Sequence, residues 1–403
     1  MSVSQPFYLR EADAPPLPHG WLYLSTEAAT LPLKPGKLFD KKTSSDRGAV
    51  PVLSQGTADF IGFHDEAPGV RATEAEPVVT FANHTCAMRL MTRPFSCIQN
   101  IFPKVGKPGV VDTRYFYYAA HGRVNLTDYK GHHPLFRQTL IPIPPLETQR
   151  RIASILGAYD DLIEVNRRRV AVLEEMARGL FEEWFVRFRF PGHEGVGIGE
   201  TSDGRLPEGW RFASLSDVAE VAFGFPFKSK AFSSTPEGSR VVRIRDVPDG
   251  TTGTWTTEPF EARYSVVNGD ILIGMDGIFH MAVWVGGDAA LNQRVTRLRP
   301  RNGHSRGWVF RSVYPHIKYF EATIAGTTVA HLGAKHLNMI RIPVATAEVQ
   351  EKADTFFDPI DETLVNLRVA NQRLAASRDL LLPRLISGQL SVEAAERELE
   401  HAA

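Results

Sequence analysis

The chain is poor in cysteine and lacks the short motifs that mark the common classes of enzyme. Cys86 and Cys97 are its only cysteines, too few for a disulfide framework, and this favours a reducing compartment. Neither has a Cys or His at zinc-finger spacing, so we predict that both are buried apolar side chains. The sequence has no GxxxxGKS/T loop for ATP, no G-x-S-x-G, no H-E-x-x-H and no Asn-Pro-Pro-aromatic tetrapeptide of the amino-methyltransferases. We therefore predict a chain that is not an enzyme and holds no metal or cofactor.

Export and membrane signals are missing as well. Residues 1–5 contain no basic region followed by an apolar one, and no apolar run approaches the length that spans a bilayer. We expect a cytoplasmic protein. The pairs His132/His133 and His331/His336 have no partners at metal-ligand spacing, and we predict that they lie in surface loops.

Charge is balanced over the whole chain but not along it. Residues 1–145 hold 15 Lys and Arg against 12 Asp and Glu, and residues 205–345 hold 17 against 12. Residues 346–403 hold 6 against 11, so the acid is concentrated near the end. A modest basic excess in two separate domains is compatible with nucleic-acid binding through a small footprint.

A long amphipathic helical pattern occurs twice. In the first copy, the stripe alternates steps of four and three residues, which is a heptad pattern. It falls at Ile152, Leu156, Tyr159, Ile163, Asn166, Val170, Leu173, Ala177, Leu180 and Trp184. The second copy follows 201 residues later without a gap, at Ala353, Phe357, Ile360, Leu364, Leu367, Asn371, Leu374, Arg378, Leu381 and Leu385. In the second copy, Asp358 followed by Pro359 is typical of the start of a helix, and Gly157 is the equivalent position in the first copy. An alternative is therefore that each copy is a short helix, then a bend, then the long helix.

The segment before each helix repeats too. Leu17-Pro18-His19-Gly20-Trp21 returns as Leu206-Pro207-Glu208-Gly209-Trp210, and Ile141-Pro142-Ile143 returns as Ile342-Pro343-Val344. The chain is thus a tandem duplication. Short β-like runs separated by Gly, Pro and Asn fill each domain, for example at 50–53, 77–81, 115–118, 240–245, 269–274 and 282–285.

We predict an α+β fold in which two strand-rich domains form a pseudo-twofold tandem repeat, joined by two long helices in an antiparallel coiled coil. The predicted segments are domain 1 (1–145, with a loose arm over 1–16), helix 1 (146–190), a flexible linker (191–204), domain 2 (205–345), helix 2 (346–390) and an acidic tail (391–403). Antiparallel pairing sets Asn166 against Asn371, and we predict that their side chains lie within hydrogen-bond reach. The alternative is that each asparagine turns to solvent at the edge of the stripe.

The order of these motifs resembles the specificity subunit of type I restriction-modification systems. Gly224-Phe225-Pro226-Phe227-Lys228-Ser229, Leu291-Asn292-Gln293-Arg294-Val295 and Leu385-Ile386-Ser387-Gly388-Gln389-Leu390 also look like that family. Domain 1 lacks the Gly-Phe-x-Phe-Lys-Ser motif.

The resemblance implies two target recognition domains, each of which binds one half of a split site in double-stranded DNA, with helices that set the gap. It also implies docking of two methyltransferase subunits and, through them, of restriction subunits. S-adenosylmethionine, ATP and magnesium would then be bound by the partners. The cluster Arg167-Arg168-Arg169 and the acidic tail are candidate docking surfaces, or simply solvated faces.

Candidate DNA contacts are the residues whose side chains have donors suited to base edges or phosphates. In domain 1 these are Lys41, Lys42, Gln55, His84, Arg89, Gln99 and Lys104. In domain 2 they are Lys228, Ser229, Lys230, Arg243, Arg245, Gln293, Arg294 and Lys335. Two other hypotheses are a coiled-coil adaptor that binds only proteins and a restriction-modification fusion fragment with activity of its own; the missing motifs disfavour the second.

Overall fold

The computed structural model describes residues 5, 7–56, 59–125, 131–324 and 330–402, with side chains as far as residue 397. The chain divides into two compact units. Unit 1 comprises Met1–Ile163 and Leu374–Ala403, and unit 2 comprises Glu164–Arg373. Each unit therefore contains one strand-rich domain and parts of both long helices.

Unit 1 contains nine strands in its described residues. They are β1 (Leu22–Ser25), β2 (Thr30–Pro32), β3 (Val50–Leu53), β4 (Phe60–His64), β5 (Val78–Ala82), β6 (Met88–Met91), β7 (Ser96–Cys97), β8 (Ile101–Gly106) and β9 (Leu140–Ile143). Its short helices are α1 (Thr26–Ala29), α2 (Thr113–Ala120) and α3 (His133–Gln138), followed by the long helix α4 (Leu146–Phe181). Helix α4 continues into unit 2 and ends in a π-helical turn, Glu182–Val186.

After the end of α4, unit 2 continues with a hairpin and then follows the same plan as unit 1. Its strands are β10 (Ile198–Thr201), β11 (Gly204–Pro207), β12 (Arg211–Ser214), β13 (Ala219–Phe223), β14 (Phe232–Ser233), β15 (Ser239–Val242), β16 (Trp255–Thr256), β17 (Ser265–Val266), β18 (Ile271–Gly274), β19 (Met281–Val283), β20 (Ala289–Leu291), β21 (Val295–Pro300) and β22 (Arg341–Val344). Its helices are α5 (Leu215–Val218), α6 (Arg306–Ile324), α7 (Ala334–Asn338) and the long α8 (Ala347–Ile386), which returns to unit 1 before α9 (Val392–Ala402).

The two units share one connectivity. The four-stranded antiparallel sheet has the order β2-β8-β5-β6 in unit 1 and β13-β21-β18-β19 in unit 2. The strand that opens each domain pairs antiparallel with the strand that closes it, β1 with β9 and β12 with β22. A second sheet in each unit contains one parallel pair, β3 with β7 and β15 with β20. The predicted duplication is therefore present in the folded chain.

The long helices pack on each other within each unit. In unit 1 the buried cluster joins Ile152 and Leu156 of α4 with Leu381 and Leu385 of α8. In unit 2 it joins Trp184, which follows α4, with residues near the start of α8, among them Phe357. The beginning of one helix thus packs near the end of the other in both units, as antiparallel helices do.

The polar positions of the stripe also meet. Asn166 Nδ2 donates to Asn371 Oδ1 at 2.9 Å within unit 2, and Asn166 is 9% exposed. This is the contact that the heptad register predicts. Both long helices run without a break through Gly157 and Pro359, so neither copy divides into a short helix and a long one at these positions.

Three segments differ from the sequence predictions. Residues 115–118 lie in helix α2, because the Asp112 side chain accepts a hydrogen bond from Tyr115 N and so caps the helix. The predicted flexible linker, 191–204, contains strand β10, which pairs with β11 through Glu200 and Arg205. The predicted acidic tail forms α9, whose Val392 and Ala395 pack in the unit 1 core.

Candidate nucleic-acid interface

Three segments of unit 2 run parallel and leave the sheet at the same edge. Val242 of β15 pairs in parallel with Leu291 of β20, and Phe225 forms a parallel bridge with Asn292. Because parallel segments end on the same side, the loops 226–230, 243–246 and 292–294 begin side by side. We call this the unit 2 edge. Gly224 makes the approach possible, since a Cβ on it would lie 1.9 Å from the Asn292 carbonyl oxygen.

The unit 2 edge gathers most of the contacts predicted for domain 2. A cleft of about 530 Å³ is lined there by Ser229, Arg243, Arg245, Gln293 and Arg294, all predicted from the sequence. Lys228 and Lys230 belong to the same first loop and are exposed. Lys335 is exposed on α7 and does not line the cleft.

Aromatic and acidic side chains hold the arginines of the cleft. The Arg243 guanidinium lies 5.4 Å from the centre of the Phe232 ring, while its backbone N–H donates to Asp246 Oδ2 at 2.9 Å. Arg294 Nε lies 3.5 Å from Asp276 Oδ2, and the other oxygen of that carboxylate lies 2.6 Å from His331 Nδ1. Cationic donors are therefore presented in defined orientations at a solvent-accessible cleft.

Asp276, Phe232 and His280 line the cleft but were not predicted. The available signal for Asp276 was its position two residues after the buried strand β18, in a turn that contains Gly277 at φ 71°. The sequence prediction considered side chains with donors for bases or phosphates, so it did not include an aspartate.

Unit 1 has the same edge in the same place. Val52 of β3 pairs in parallel with Ser96 of β7, and Leu38 forms a parallel bridge with Cys97. The loops that follow these segments carry Lys41, Lys42, Gln55 and Gln99. We call this the unit 1 edge. Leu38 occupies the place that Phe225 has in unit 2, so domain 1 contains the element although it lacks the Gly-Phe-x-Phe-Lys-Ser motif.

The Gln55 side chain on the unit 1 edge bonds to the backbone of two other loops. Gln55 Nε2 donates to the Gln99 carbonyl oxygen at 2.9 Å, and Gln55 Oε1 accepts from His84 N at 3.2 Å. Gln55 thus ties two loops together, while the Gln99 side chain remains exposed. Lys41 and Lys42 are exposed in a turn in which Asp40 Oδ1 accepts from Lys42 N at 2.9 Å.

Two predicted contacts of domain 1 have internal roles instead. The Arg89 side chain is 13% exposed and donates to the backbone oxygens of Ser54 and Gly56 at 2.9 and 3.1 Å. Lys104 on β8 is 5% exposed, and burial lowers the pKa of its ammonium group. Arg89 therefore shapes the loop after β3, and the structure removes Lys104 from the candidate contacts.

The histidines and cysteines provide no metal site in the described residues. No group of three or more His, Cys, Asp or Glu side chains that could hold a metal ion occurs there. The prediction of surface histidines is wrong for one pair. His132 is 4% exposed, and the His133 ring stacks on Phe102 with centroids 3.6 Å apart. Burial lowers the pKa of His133 to about 4.

Burial also governs the two thiols. Cys97 is fully buried, as predicted, and desolvation raises its pKa to about 12. Cys86 is only partly buried, and its pKa is raised to about 11 by the same cause. Within the described helices, none is both long and apolar enough to cross a bilayer.

Known proteins share both the sequence pattern and the fold. The specificity subunit of the EcoBI type I restriction enzyme of Escherichia coli is 29% identical over 193 residues, a match that covers 47% of this chain and 41% of that protein. The MjaIX specificity subunit of Methanocaldococcus jannaschii is 23% identical over 321 residues, 73% of this chain and 72% of that one. The crystal structure of a type I restriction-modification S subunit from M. genitalium has the same fold, with a TM-score of 0.55, 16% identity, and coverage of 95% of this chain and 99% of that one.

The match to the first relative thus covers less than half of that protein's length. The family model for the type I restriction modification DNA specificity domain matches twice, over residues 31–175 and 207–373. These two matches together span most of the chain and coincide with the duplicated plan of strand-rich domain and long helix. The chain therefore belongs to the family of type I restriction-modification specificity subunits.

Proposed function

We propose that this chain selects the DNA target of a type I restriction-modification complex, with each strand-rich domain binding one half of a bipartite sequence. The observation that carries the proposal is the pair of equivalent edges, at which parallel segments present Lys, Arg and Gln side chains to solvent. Arg presents two donors to a base edge, and Gln presents a donor and an acceptor, whereas Lys is suited to phosphates.

We further propose that the long helices separate the two edges and dock two methyltransferase subunits, to which restriction subunits bind. Helix α4 contains 36 residues, which corresponds to about 54 Å at 1.5 Å per residue. That exceeds one turn of B-DNA, about 34 Å, so helices of this length can separate two contacts along a duplex. The exposed Arg167, Arg168 and Arg169 are candidates for the docking surface.

In this proposal the chain itself is not catalytic and works in the cytoplasm, where its partners bind S-adenosylmethionine, ATP and magnesium. The relatives that the chain matches are named as specificity subunits of type I restriction enzymes, which supports this assignment. The chemistry would then reside in the docked subunits, and this chain would decide where it occurs.

Selection of bound duplexes from a random pool tests the proposal. The purified full chain should enrich a sequence with two specified blocks and an unspecified gap, and its affinity for DNA should fall steeply with salt. Coexpression with methyltransferase subunits should place methyl groups at that same sequence. Enrichment of no sequence, or affinity that is independent of salt, would instead favour an adaptor that binds only proteins.

A further inference from the structure

Arg294 is paired with a carboxylate that itself lines the cleft, Asp276, whereas Asp246, which pairs with Arg245, does not line it. Asp276 Oδ2 lies 3.5 Å from Arg294 Nε, and the Asp276 side chain is itself only 25% exposed. His331 contacts the other oxygen of Asp276 at 2.6 Å, and its Nδ1 lies 3.4 Å from Arg294 Nη1. The guanidinium is thus contacted at Nε by the carboxylate and at Nη1 by the histidine.

Arg294 lines the cleft with a guanidinium that retains donors for a ligand. Among the described residues, the hydrogen bond of the Arg294 side chain is formed by Nη1 and none is formed by Nη2, and the side chain is 52% exposed. The two terminal amino groups together form a planar fork with two donors. A fork of this kind matches the O6 and N7 acceptors of guanine in the major groove.

Charge distinguishes a base contact from a phosphate contact here. The Asp276 carboxylate offsets the charge of Arg294 and repels a phosphate that approaches it. Hydrogen bonding to the neutral edge of guanine depends on orientation rather than net charge, so the same carboxylate favours it by holding the fork in place. Lys228 and Lys230 form no ion pair with a described residue and are exposed, as phosphate contacts require.

We propose that Arg294 binds a guanine in the half-site that contacts unit 2, and that Asp276 is a positioning residue for it. This inference rests on the proposed function and names one base that the unit 2 edge selects. Nη1 and Nη2 donate to O6 and N7 of the guanine, while Asp276 holds Nε and His331 holds Asp276.

The test uses the full chain and the duplex that it selects from a random pool. Each guanine of both half-sites is replaced in turn by 7-deazaguanine, which removes the N7 acceptor. For the unmodified chain, one replacement in one half-site should weaken binding roughly 5- to 150-fold. For Arg294→Ala, that same replacement should have no further effect, and other bases should become acceptable at that position.

Lys230→Ala is the matched control from the same edge. It should weaken binding to selected and random duplexes equally, without changing the preferred sequence. The slope of log affinity against log salt concentration should fall by about one. The proposed contact between Arg294 and guanine is overturned if Arg294→Ala has the same effects as Lys230→Ala. It is also overturned if binding by Arg294→Ala remains as sensitive to each 7-deazaguanine as binding by the unmodified chain, or if the selected half-sites contain no guanine. An unmodified chain that selects no sequence would contradict the proposed function instead.

Asp276→Asn separates positioning from simple support of the fold. It should lower the preference for the critical guanine while strengthening binding to random duplexes at low salt, because a negative charge leaves the cleft. A variant that merely loosens the loop would weaken binding to all duplexes and lower the melting temperature. Either that result or unchanged guanine preference would overturn the role given to Asp276.

Discussion

At the scale of single residues, side-chain type predicted which residues lie at the unit 2 edge better than which lie at the unit 1 edge. Arg243 follows strand β15 directly, and Arg245 and Arg294 come three residues after the ends of β15 and β20. The sequence placed Arg243 and Arg245 inside a β-like run at 240–245, so it predicted the strand but not the residue at which the strand ends. Arg89 and Lys104 have the same chemistry but lie inside strands, where Arg89 donates to a backbone oxygen and Lys104 is buried. Which carbonyl oxygen a guanidinium reaches depends on loops far apart in sequence, and spacing alone does not show it.

The thiols give a residue-scale prediction. Because burial raises the pKa of Cys97 to about 12, its thiolate fraction at pH 8 should be about 1000-fold below that of an ordinary cysteine. Native protein should therefore react very slowly with iodoacetamide, and Cys97 more slowly than the partly exposed Cys86. Mass spectrometry of labelled peptides measures both, with denatured protein as the control. Fast labelling of Cys97 in the native chain would contradict its burial.

At the scale of elements, the heptad pattern predicted the long helices because it persists over ten positions in each copy. Prediction failed where a short segment had mixed signals. The aromatic run 115–118 has strand propensity, but the Asp112 cap and packing against the core make it helical. Residues 198–207 lack apolar alternation, yet they pair as a hairpin whose Leu206 is buried in the unit 2 core.

The asparagine pair gives a prediction for the helices. Asn166→Leu should destabilise the chain by about 1 kcal/mol, because the half-buried Asn371 Oδ1 loses the donor that Asn166 supplies. Adding Asn371→Leu should recover most of that loss, since two apolar side chains then pack at the same level. Denaturation by urea measures the double-mutant cycle. Losses that simply add would show that the two side chains do not depend on each other.

Helix α9 gives a second prediction at this scale. Arg151 Nη1 and Nη2 lie 2.6 Å from Glu393 and Glu396, respectively, and so hold α9 on unit 1. Arg151→Ala should accelerate amide hydrogen exchange in residues 392–397, and high salt should have a similar effect on the unmodified chain. Arg150→Ala is the matched control, because Arg150 is exposed and forms no ion pair with a described residue. Equal exchange in both variants would mean that Val392 and Ala395 suffice to hold α9.

At the scale of the whole molecule, duplication was the most predictable feature. An offset of 201 residues between the helices needs no gap, and the equivalent strand orders of the two domains bear it out. The equivalence of the two edges was less visible, because Leu38 and Phe225 share a role without sharing a motif. The backbone pairing of this segment is therefore the same in both units, although its side chains differ.

Two edges in two units should act independently on DNA. Arg243→Ala should relax base preference in one half-site, and Gln99→Ala should relax it in the other, because these side chains belong to different units. In the double variant, the losses of binding free energy should add within about 0.5 kcal/mol. Selection from a random pool, followed by affinity measurements on single-base variants, checks this. Relaxation of the same half-site by both substitutions would contradict the assignment of one half-site to each unit.

The parallel edges also bear on how such a protein can acquire a new target. The segments that end there are anchored by buried side chains such as Val242, Leu291, Leu53 and Cys97, while Arg245, Gln293 and Gln99, two or three residues further on, are exposed. Substitutions at such exposed positions disturb little packing, and surface changes usually alter stability by under about 0.5 kcal/mol. Drift at a few loop positions in one unit could retune half of the target while the inherited scaffold and the other half persist.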